Sequence, residues 1–201
     1  MMKTELLLAS NNEHKHQEFL RLFPHAEVRT PRDLGLEFVF EEDGETFLEN
    51  AFGKAMTLFR AAKRPVIADD SGLCVPALGG QPGVLSNRYG AGAGGVLLDA
   101  PRRNAYLLDR MEGLQDRAAF FVCCLVIVFD ENRFLVAQDT VEGLIAESPR
   151  GDNGFGYDPL FLLPERGLTM AELSDEEKDL VSHRGRAARR IRALTEERSW
   201  T

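Results

Sequence analysis

Residues 65–73 of the chain read Pro-Val-Ile-Ala-Asp-Asp-Ser-Gly-Leu, and this stretch guides the interpretation of the whole sequence. Three apolar residues after a proline predict a buried strand, and two carboxylates followed by Ser71 and Gly72 predict that it ends in a turn. Ligands of open α/β sheets bind where strands end. Because successive strand side chains point to opposite faces, Asp69 and Asp70 cannot both enter one site, and one is expected to be supporting. A plain polar turn would explain the same residues.

The composition is that of an ordinary soluble globular protein. The chain has 201 residues, of which 44% are hydrophobic and 28% charged, enough for a single domain over residues 1–201 without disulfide support. Its three cysteines form no CxxC pair, and two of them lie in an apolar run. This usage predicts buried thiols in a reducing compartment and argues against a disulfide framework or a zinc site.

The charge and the N-terminal sequence limit the partners that we expect. A formal net charge of −8 argues against binding along a nucleic acid, because phosphate contacts need a basic surface. A small anion could still bind where lysines and arginines converge. The apolar run at residues 6–9 is too short for a signal peptide, and no later run is long enough to span a membrane. We therefore expect a cytoplasmic protein with no membrane partner.

A strand, a polar turn and a helix are predicted at the N-terminus. The apolar run just described predicts the strand, and a helix is expected over residues 13–23. The cap residues between them are Ser10, Asn11 and Asn12. Free backbone N–H groups at such a helix start bind phosphate, and Lys15 would add positive charge there. An ordinary capped helix with a solvated lysine fits the same residues.

A second helix is predicted over residues 46–62, with a capping-box pattern at its start. Asn50 and Lys54 are four residues apart on one edge of its apolar face, so Lys54 either extends past the core to solvent or points into a cleft. An acidic run at residues 41–43, after a predicted strand at residues 38–40, precedes this helix. Those carboxylates either offset the helix dipole or hold a divalent cation such as Mg²⁺.

The middle of the chain predicts an extended sheet. Residues 120–129 are apolar throughout, as expected of a strand covered on both faces, and a return strand is predicted over residues 134–145. Residues 90–95 match a dinucleotide-binding pattern by letter, but no buried strand precedes them, so we interpret them as a glycine-rich loop. A helix is expected over residues 101–111.

The last third of the chain combines a glycine-rich loop with two helices. The loop over residues 149–159 contains Phe155, which either stacks on a base or closes the end of the sheet. The helices are predicted over residues 174–180 and 182–198. At or beside the break between them lie Lys178, His183 and Arg184.

Five sequence blocks together carry a family resemblance. They are residues 8–12 (LASNN) with Lys15, 45–51 (ETFLENA) with Lys54, 67–73 (IADDSGL), 154–159 (GFGYDP) and 182–185 (SHRG). From about Leu6 to Ala193 the chain resembles the inosine triphosphate pyrophosphatase family, and five blocks in order are far more specific than any one of them. The loop at residues 90–95 departs from the family pattern because it is richer in glycine and alanine.

The resemblance implies an activity and a fold. Members hydrolyse noncanonical purine nucleoside triphosphates (ITP, dITP, XTP and dXTP) between the α and β phosphates, releasing the monophosphate and pyrophosphate with Mg²⁺, and they are usually homodimers. This activity removes such nucleotides from the pool before they enter DNA and RNA. The implied fold is α/β, with an extended mixed β-sheet flanked by helices and two lobes around a central active-site cleft.

The resemblance also implies roles for individual residues. Asp70 would be the general base and, together with Glu42, a Mg²⁺ ligand. The phosphates and the sugar would be surrounded by Ser10, Asn11, Asn12, Lys15, Lys54 and Ser71. The base would be bound by Phe155, Gly156, Tyr157, Asp158, Lys178, His183 and Arg184. Phe155 would stack on the base, and the charged residues of this set would read its edge.

Two other functions stay open on the sequence alone. The protein could be a sensor that holds purine triphosphates without hydrolysing them, although a sensor has no need for a catalytic carboxylate beside a metal. It could also be a pool-cleansing hydrolase that acts on modified pyrimidines. For a purine enzyme, donors facing the six position would reject adenine, because its amino group leaves them unpaired at a cost of about 1–3 kcal/mol.

Overall fold

The computed structural model of the chain describes residues 4–91 and 95–196. Its strands are β1 Thr4–Leu8, β2 Ala26–Arg29, β3 Val66–Cys74, β4 Ala118–Val128, β5 Phe134–Ile145, β6 Phe161–Leu163 and β7 Leu168–Thr169. Its α-helices are α1 Glu13–Leu22, α2 Phe47–Ala62, α3 Ala100–Arg110, α4 Asp175–Val181 and α5 His183–Glu196.

The seven strands form one mixed sheet in the order β2-β1-β3-β4-β5-β6-β7. β1 pairs in parallel with β2 and β3, whereas β6 pairs antiparallel with β5 and β7. The predicted α/β fold with a mixed sheet and flanking helices is therefore confirmed. The chain divides into two compact units, and β3, β4 and β5 contribute residues to both.

The first unit contains the described parts of Met1–Asp70, Cys123–Asp139 and Arg184–Thr201. Strand alternation divides its core into two clusters, as a sheet with both faces buried requires. On one face, Ile67 of β3 packs in a cluster with Phe19 of α1 and Ile191 of α5. On the other face, Ala68 packs in a cluster with Ala55 of α2. Within the first unit, the odd-numbered residues of β3 therefore face α1 and α5, and the even-numbered residues face α2.

The second unit contains Ser71–Val122 and Thr140–His183. One hydrophobic cluster holds it together, in which Leu107 of α3 packs with Phe161 of β6 and with Tyr157 from the loop before it. The Tyr157 hydroxyl donates a hydrogen bond of 2.9 Å to the backbone carbonyl of Ser86. This bond satisfies a buried polar group and ties the loop to the same core.

The structure corrects the prediction that the strand after Pro65 ends at the two carboxylates. β3 continues to Cys74, because Leu73 and Cys74 are buried and their packing outweighs the turn preference of Ser71 and Gly72.

The structure also corrects the strand predicted over residues 38–40, where no strand is present. The Phe38 carbonyl instead accepts a hydrogen bond of 2.8 Å from the Asn11 side chain, and Phe40 packs on Gly53 of α2. The alternating aromatic residues therefore cover α2. Three short strands were not predicted, namely β2, β6 and β7.

Most helix predictions are confirmed to within a few residues. Thr46 caps α2, and the capping box with Glu49 is present. The predicted helix over residues 182–198 corresponds to α5, and its last two residues lie outside the described part of the chain. Residues 92–94 of the predicted glycine-rich loop also lie outside the described part of the chain. No helix in the described ranges is long and apolar enough to cross a bilayer.

Candidate active site

Asp70 is the centre of the first charged cluster. Its Oδ1 lies 3.1 Å from the Lys54 ammonium, and that ammonium also donates to Glu42 at 2.6 Å. Its Oδ2 accepts a bond of 3.2 Å from the Asn50 amide. Burial raises the pKa of Asp70, the charge of Lys54 opposes that effect, and Glu42 reinforces it. Asp70 is therefore a carboxylate whose affinity for a proton is increased, as a general base needs.

Lys54 has two carboxylates as direct partners although it lies in the apolar face of α2. Only 6% of the residue is exposed. Burial lowers the pKa of Lys54, but the negative charges of Asp70, Asp69 and Glu42 outweigh that effect and raise it. The ammonium therefore stays charged at neutral pH. Between the two interpretations of Lys54 from the sequence, the structure shows the side chain turned toward carboxylates and not toward solvent.

Asp69 belongs to a separate cluster on the opposite face of β3. Its Oδ1 lies 2.9 Å from the Lys15 ammonium, and its Oδ2 accepts bonds of 3.2 and 2.9 Å from the Arg184 guanidinium. Arg184 also donates to Glu18 of α1 at 2.6 Å. Burial raises the pKa of Asp69, yet Lys15 and Arg184 hold it far below its ordinary value. Asp69 is thus ionised at neutral pH and pairs with two cations.

The turn before α1 is organised by its own side chains. Asn12 is the N-cap, and its side-chain oxygen accepts the Lys15 N–H at 3.2 Å. The Ser10 hydroxyl accepts the Asn12 N–H at 3.1 Å, and the Asn11 amide donates to the Phe38 carbonyl. These bonds hold the turn against the first turn of α1, which contains Lys15. Such a helix end favours a bound anion.

A third polar group lies in the second unit and surrounds Phe155. The Asp158 carboxylate accepts the Phe155 N–H at 2.7 Å and the Lys178 ammonium at 2.6 Å. The Lys178 ammonium also lies 4.9 Å from the centre of the Phe155 ring, within range of a cation–π contact. A Cβ at Gly154 would lie 2.2 Å from the Asp158 carboxylate, so this turn needs glycine. Asp158 therefore fixes both the aromatic ring and the lysine.

The other predicted site residues take varied positions. The Gly156 carbonyl accepts a bond of 3.1 Å from Asn104, and the Tyr157 hydroxyl is used in the core as described above. The His183 ring stacks on Phe121 at 4.6 Å between centroids. Ser71 continues β3 as a half-buried strand residue. Arg184, which was predicted to read the base edge, has its guanidinium on Asp69 and Glu18 in the first unit.

The oxygen donors at Asp70 fit a hard divalent cation. Glu42 and Asp70 already direct one carboxylate oxygen each at a single cation, the Lys54 ammonium. Mg²⁺ is commonly bound by one or two carboxylates, with waters and substrate phosphates as its other ligands. No group of three or more His, Cys, Asp or Glu side chains able to hold a metal occurs among the described residues, so this pair would need such further ligands.

Two polar residues of these clusters, Asn50 and Glu18, were given no role from the sequence. Asn50 was placed correctly beside Lys54 on α2, but its contact with Asp70 depends on how α2 lies against β3. Glu18 follows Lys15 by three residues, a spacing that puts both on one side of α1. Its burial was not predictable without knowing that Arg184 is opposite it.

The fold and these clusters define an α/β protein whose strand β3 carries two carboxylates paired with lysines and an arginine. The chain belongs to the Ham1 family, which it matches over residues 6–194. It is 48% identical to a dITP/XTP pyrophosphatase of Treponema denticola, over 91% of this chain and 94% of that protein. It is 47% identical to a dITP/XTP pyrophosphatase of Geobacillus kaustophilus, over 96% and 95% of the two chains.

Solved structures show the same likeness. The Ham1 protein of Staphylococcus aureus superimposes with a TM-score of 0.84 at 40% identity, covering 96% of this chain and 99% of its own. A HAM1 protein of Coxiella burnetii superimposes with a TM-score of 0.86 at 37% identity, covering 97% and 100%. These values extend the likeness from the sequence blocks to the fold of nearly the whole chain.

Proposed function

We propose that the protein is a nucleoside triphosphate pyrophosphatase that hydrolyses the noncanonical purine nucleotides ITP, dITP, XTP and dXTP. The products would be the nucleoside monophosphate and pyrophosphate. The observation that carries the proposal is the arrangement of Glu42 and Asp70 on one buried lysine, Lys54, in a chain of the Ham1 family. Two carboxylates and a fixed ammonium are the groups that phosphoryl chemistry needs.

Asp70 takes the proton of the attacking water in this proposal. The water oxygen forms a bond to the α phosphorus, the bond from that phosphorus to the bridging oxygen breaks, and pyrophosphate leaves with the electron pair. Burial raises the pKa of Asp70 in the absence of metal. Beside Mg²⁺ the carboxylate would stay ionised, so as a base it would rely on the metal making the water more acidic. Glu42 and Asp70 would hold Mg²⁺, which when bound neutralises phosphate charge and makes a coordinated water more acidic.

Several charged and polar residues of the first unit, together with Ser71, bind the phosphates and the sugar in this proposal. The ammonium groups of Lys15 and Lys54 neutralise phosphate oxygens, and each is held by a carboxylate that limits its motion. The backbone N–H groups at the start of α1 add donors. The phosphate- and sugar-binding set is Ser10, Asn11, Asn12, Lys15, Lys54 and Ser71.

The second unit reads the base in this proposal. Phe155 offers a ring for stacking, and Lys178 offers donors that Asp158 orients. A keto oxygen at the six position of hypoxanthine or xanthine accepts from such donors, whereas the amino group of adenine does not. The proposed base-binding set is Phe155, Gly156, Tyr157, Asp158, Lys178 and His183 of the second unit, with Arg184 of the first unit.

We further propose Mg²⁺ as the cofactor, a homodimer as the working form and the cytoplasm as the location. Mg²⁺ and the homodimer follow from the resemblance to the family, whereas the location, the single domain over residues 1–201 and the absence of nucleic-acid and membrane partners stay predictions from composition and charge. Light scattering on the eluting protein after size exclusion tests the dimer. Removing divalent ions with EDTA and restoring Mg²⁺ tests the cofactor.

Product analysis on a panel of nucleotides tests the activity itself. We expect dITP and XTP to yield pyrophosphate, and not inorganic phosphate, with kcat/KM well above the values for dATP, dGTP and the pyrimidine triphosphates. In ¹⁸O-labelled water the label should appear in the monophosphate, because attack occurs at the α phosphorus.

The rival functions predict different results in the same assay. Tight binding of dITP without turnover would identify a sensor. A preference for modified pyrimidine triphosphates would identify a hydrolase of another substrate class. Label in the released pyrophosphate would contradict attack at the α phosphorus.

A further inference from the structure

Asn50 joins two parts of the first unit through its side-chain amide. Its Nδ2 donates to Asp70 Oδ2 at 3.2 Å, and its Oδ1 accepts the backbone N–H of Gly44 at 2.9 Å. Only 1% of the residue is exposed. Gly44 lies two residues after Glu42, so one amide connects the strand that carries Asp70 with the loop that carries Glu42.

The chemistry of the two bonds requires an amide at this position. The partner on β3 is a carboxylate, which accepts, and the partner in the loop is an N–H, which donates. An aspartate would present only acceptors and would repel Asp70, while an apolar residue would leave the Gly44 N–H without this acceptor. Asparagine satisfies both partners with one short side chain.

The packing of Gly44 shows how closely the loop approaches this amide. A Cβ at Gly44 would lie 2.7 Å from Asn50 Oδ1 and 2.8 Å from the Glu49 Cβ. A side chain at Gly44 would therefore displace the amide or the loop. The glycine and Asn50 together set the distance from the loop to α2.

Asn50 and Lys54 act on different oxygens of Asp70. Lys54 contacts Oδ1 and supplies a positive charge, which it shares with Glu42. Asn50 contacts Oδ2, carries no charge and bonds to the backbone of the loop. Asn50 therefore sets the orientation of the Asp70 carboxylate, whereas Lys54 balances its charge.

We propose that Asn50 is a positioning residue that holds the loop of Glu42 against Asp70, so that both carboxylates reach one divalent cation. The inference rests on the proposed function, because it takes Glu42 and Asp70 as the Mg²⁺ ligands. Asn50 itself contacts neither metal nor substrate in this assignment. Residues of this kind, which orient metal ligands, typically contribute about 10–100-fold to metal affinity.

The test compares Asn50→Ala with Thr46→Ala. Thr46 caps the same helix, so its loss weakens the start of α2 but leaves both Asn50 bonds in place. Mn²⁺ is the probe, and its binding is followed by electron paramagnetic resonance in the presence of a nonhydrolysable α,β-imido nucleotide. The Mg²⁺ concentration for half-maximal turnover of dITP is measured in parallel.

We expect Asn50→Ala to raise the Mn²⁺ Kd by about 10-fold or more. The Mg²⁺ concentration for half-maximal turnover of dITP should rise as well. Thr46→Ala should lower the midpoint of thermal unfolding and leave both metal constants unchanged. Should Asn50→Ala fail to fold, Gly44→Ala disturbs the same link from the loop and is expected to raise the Mn²⁺ Kd as well.

Two outcomes separate failure of this inference from failure of the proposed function. If the unmodified enzyme binds Mn²⁺ and hydrolyses dITP, but Asn50→Ala or Gly44→Ala keeps its metal constants and loses only stability, Asn50 is merely structural. If the unmodified enzyme neither binds the metal nor hydrolyses dITP, the proposed function fails, and this assignment of Asn50 fails with it.

Discussion

Asp69 and Asp70 are neighbours on one strand, yet their surroundings differ in every respect that matters for chemistry. Asp69 faces α1 and α5 and pairs with Lys15 and Arg184, which hold its pKa far below the ordinary value despite burial. Asp70 faces α2, and burial raises its pKa in spite of Lys54. The alternation of a strand thus gives two adjacent carboxylates opposite proton affinities.

The two faces also differ in the charged groups that contact each carboxylate. In the contacts described above, Asp69 and Glu18 are matched by Lys15 and Arg184, two negative charges against two positive ones. Glu42 and Asp70 both contact the Lys54 ammonium. In the proposed function these two carboxylates, and not Asp69, are the groups that would hold Mg²⁺.

Replacing Asp70 by asparagine is expected to produce the largest effect of all. The variant loses the proton acceptor and one metal ligand, and general-base catalysis alone contributes about 10²–10⁴-fold. We expect kcat for dITP to fall by at least that factor. Steady-state pyrophosphate release measures it, with Asp109→Asn, an exposed carboxylate of α3, as the matched control. Turnover near the unmodified rate would assign the base to another residue.

Replacing Asp69 by asparagine should instead act first on stability. The change removes the negative charge that faces the buried guanidinium of Arg184 and the Lys15 ammonium, and breaking a buried ion pair in this way costs about 3–5 kcal/mol. Urea unfolding in EDTA measures the loss. Asp70→Asn in the same experiment should be no less stable than the unmodified protein. Equal losses in both variants would contradict the distinction between the two faces.

A smaller loss of stability is expected for Glu18→Gln. Arg184 keeps both bonds to Asp69 and loses only the charge of its third contact, so the free energy of unfolding should fall by about 1.5–3 kcal/mol. Urea unfolding measures this as well. Glu13→Gln, an exposed carboxylate in the same helix, is the control and should change stability much less. A larger loss for Glu18→Gln than for Asp69→Asn would make Glu18 the principal partner of Arg184.

The sequence predicted the long, strongly patterned elements of the fold and missed those set by tertiary contacts. The apolar run of β4 and the capped helix α2 have signals of their own. The strand predicted over residues 38–40 was wrong, because its alternating aromatic residues pack on α2 without joining the sheet. β2, β6 and β7 contain two to four residues each, too short for a pattern.

The candidate site shows a similar limit. Alternation along β3 predicted that Asp69 and Asp70 would differ, but it did not say which helix each would face. That depends on α5, whose Arg184 is more than one hundred residues away along the chain. Arg184 was assigned to base recognition from a motif, and its contacts with Asp69 and Glu18 became visible only once α1 and α5 were placed on the same face.

The pH dependence of stability gives the smallest expected effect and the most specific test of the two carboxylates. The effect is small because burial raises the pKa of Asp70 while the charge of Lys54 lowers it. The pKa of Asp70 is raised above the ordinary value of 3.8, so ionised Asp70 costs stability at neutral pH, and that cost disappears as the pH falls through the raised pKa. The stability advantage of Asp70→Asn should therefore shrink as urea unfolding in EDTA is repeated from about pH 7 down to about pH 4.

The pKa of Asp69 is lowered, so its contribution is fully present above 3.8 and is lost only below that value. The deficit of Asp69→Asn should accordingly stay constant over the same range. If the deficit of Asp69→Asn shrank with falling pH while the advantage of Asp70→Asn did not, the proton affinities of the two carboxylates would be the reverse of those inferred here.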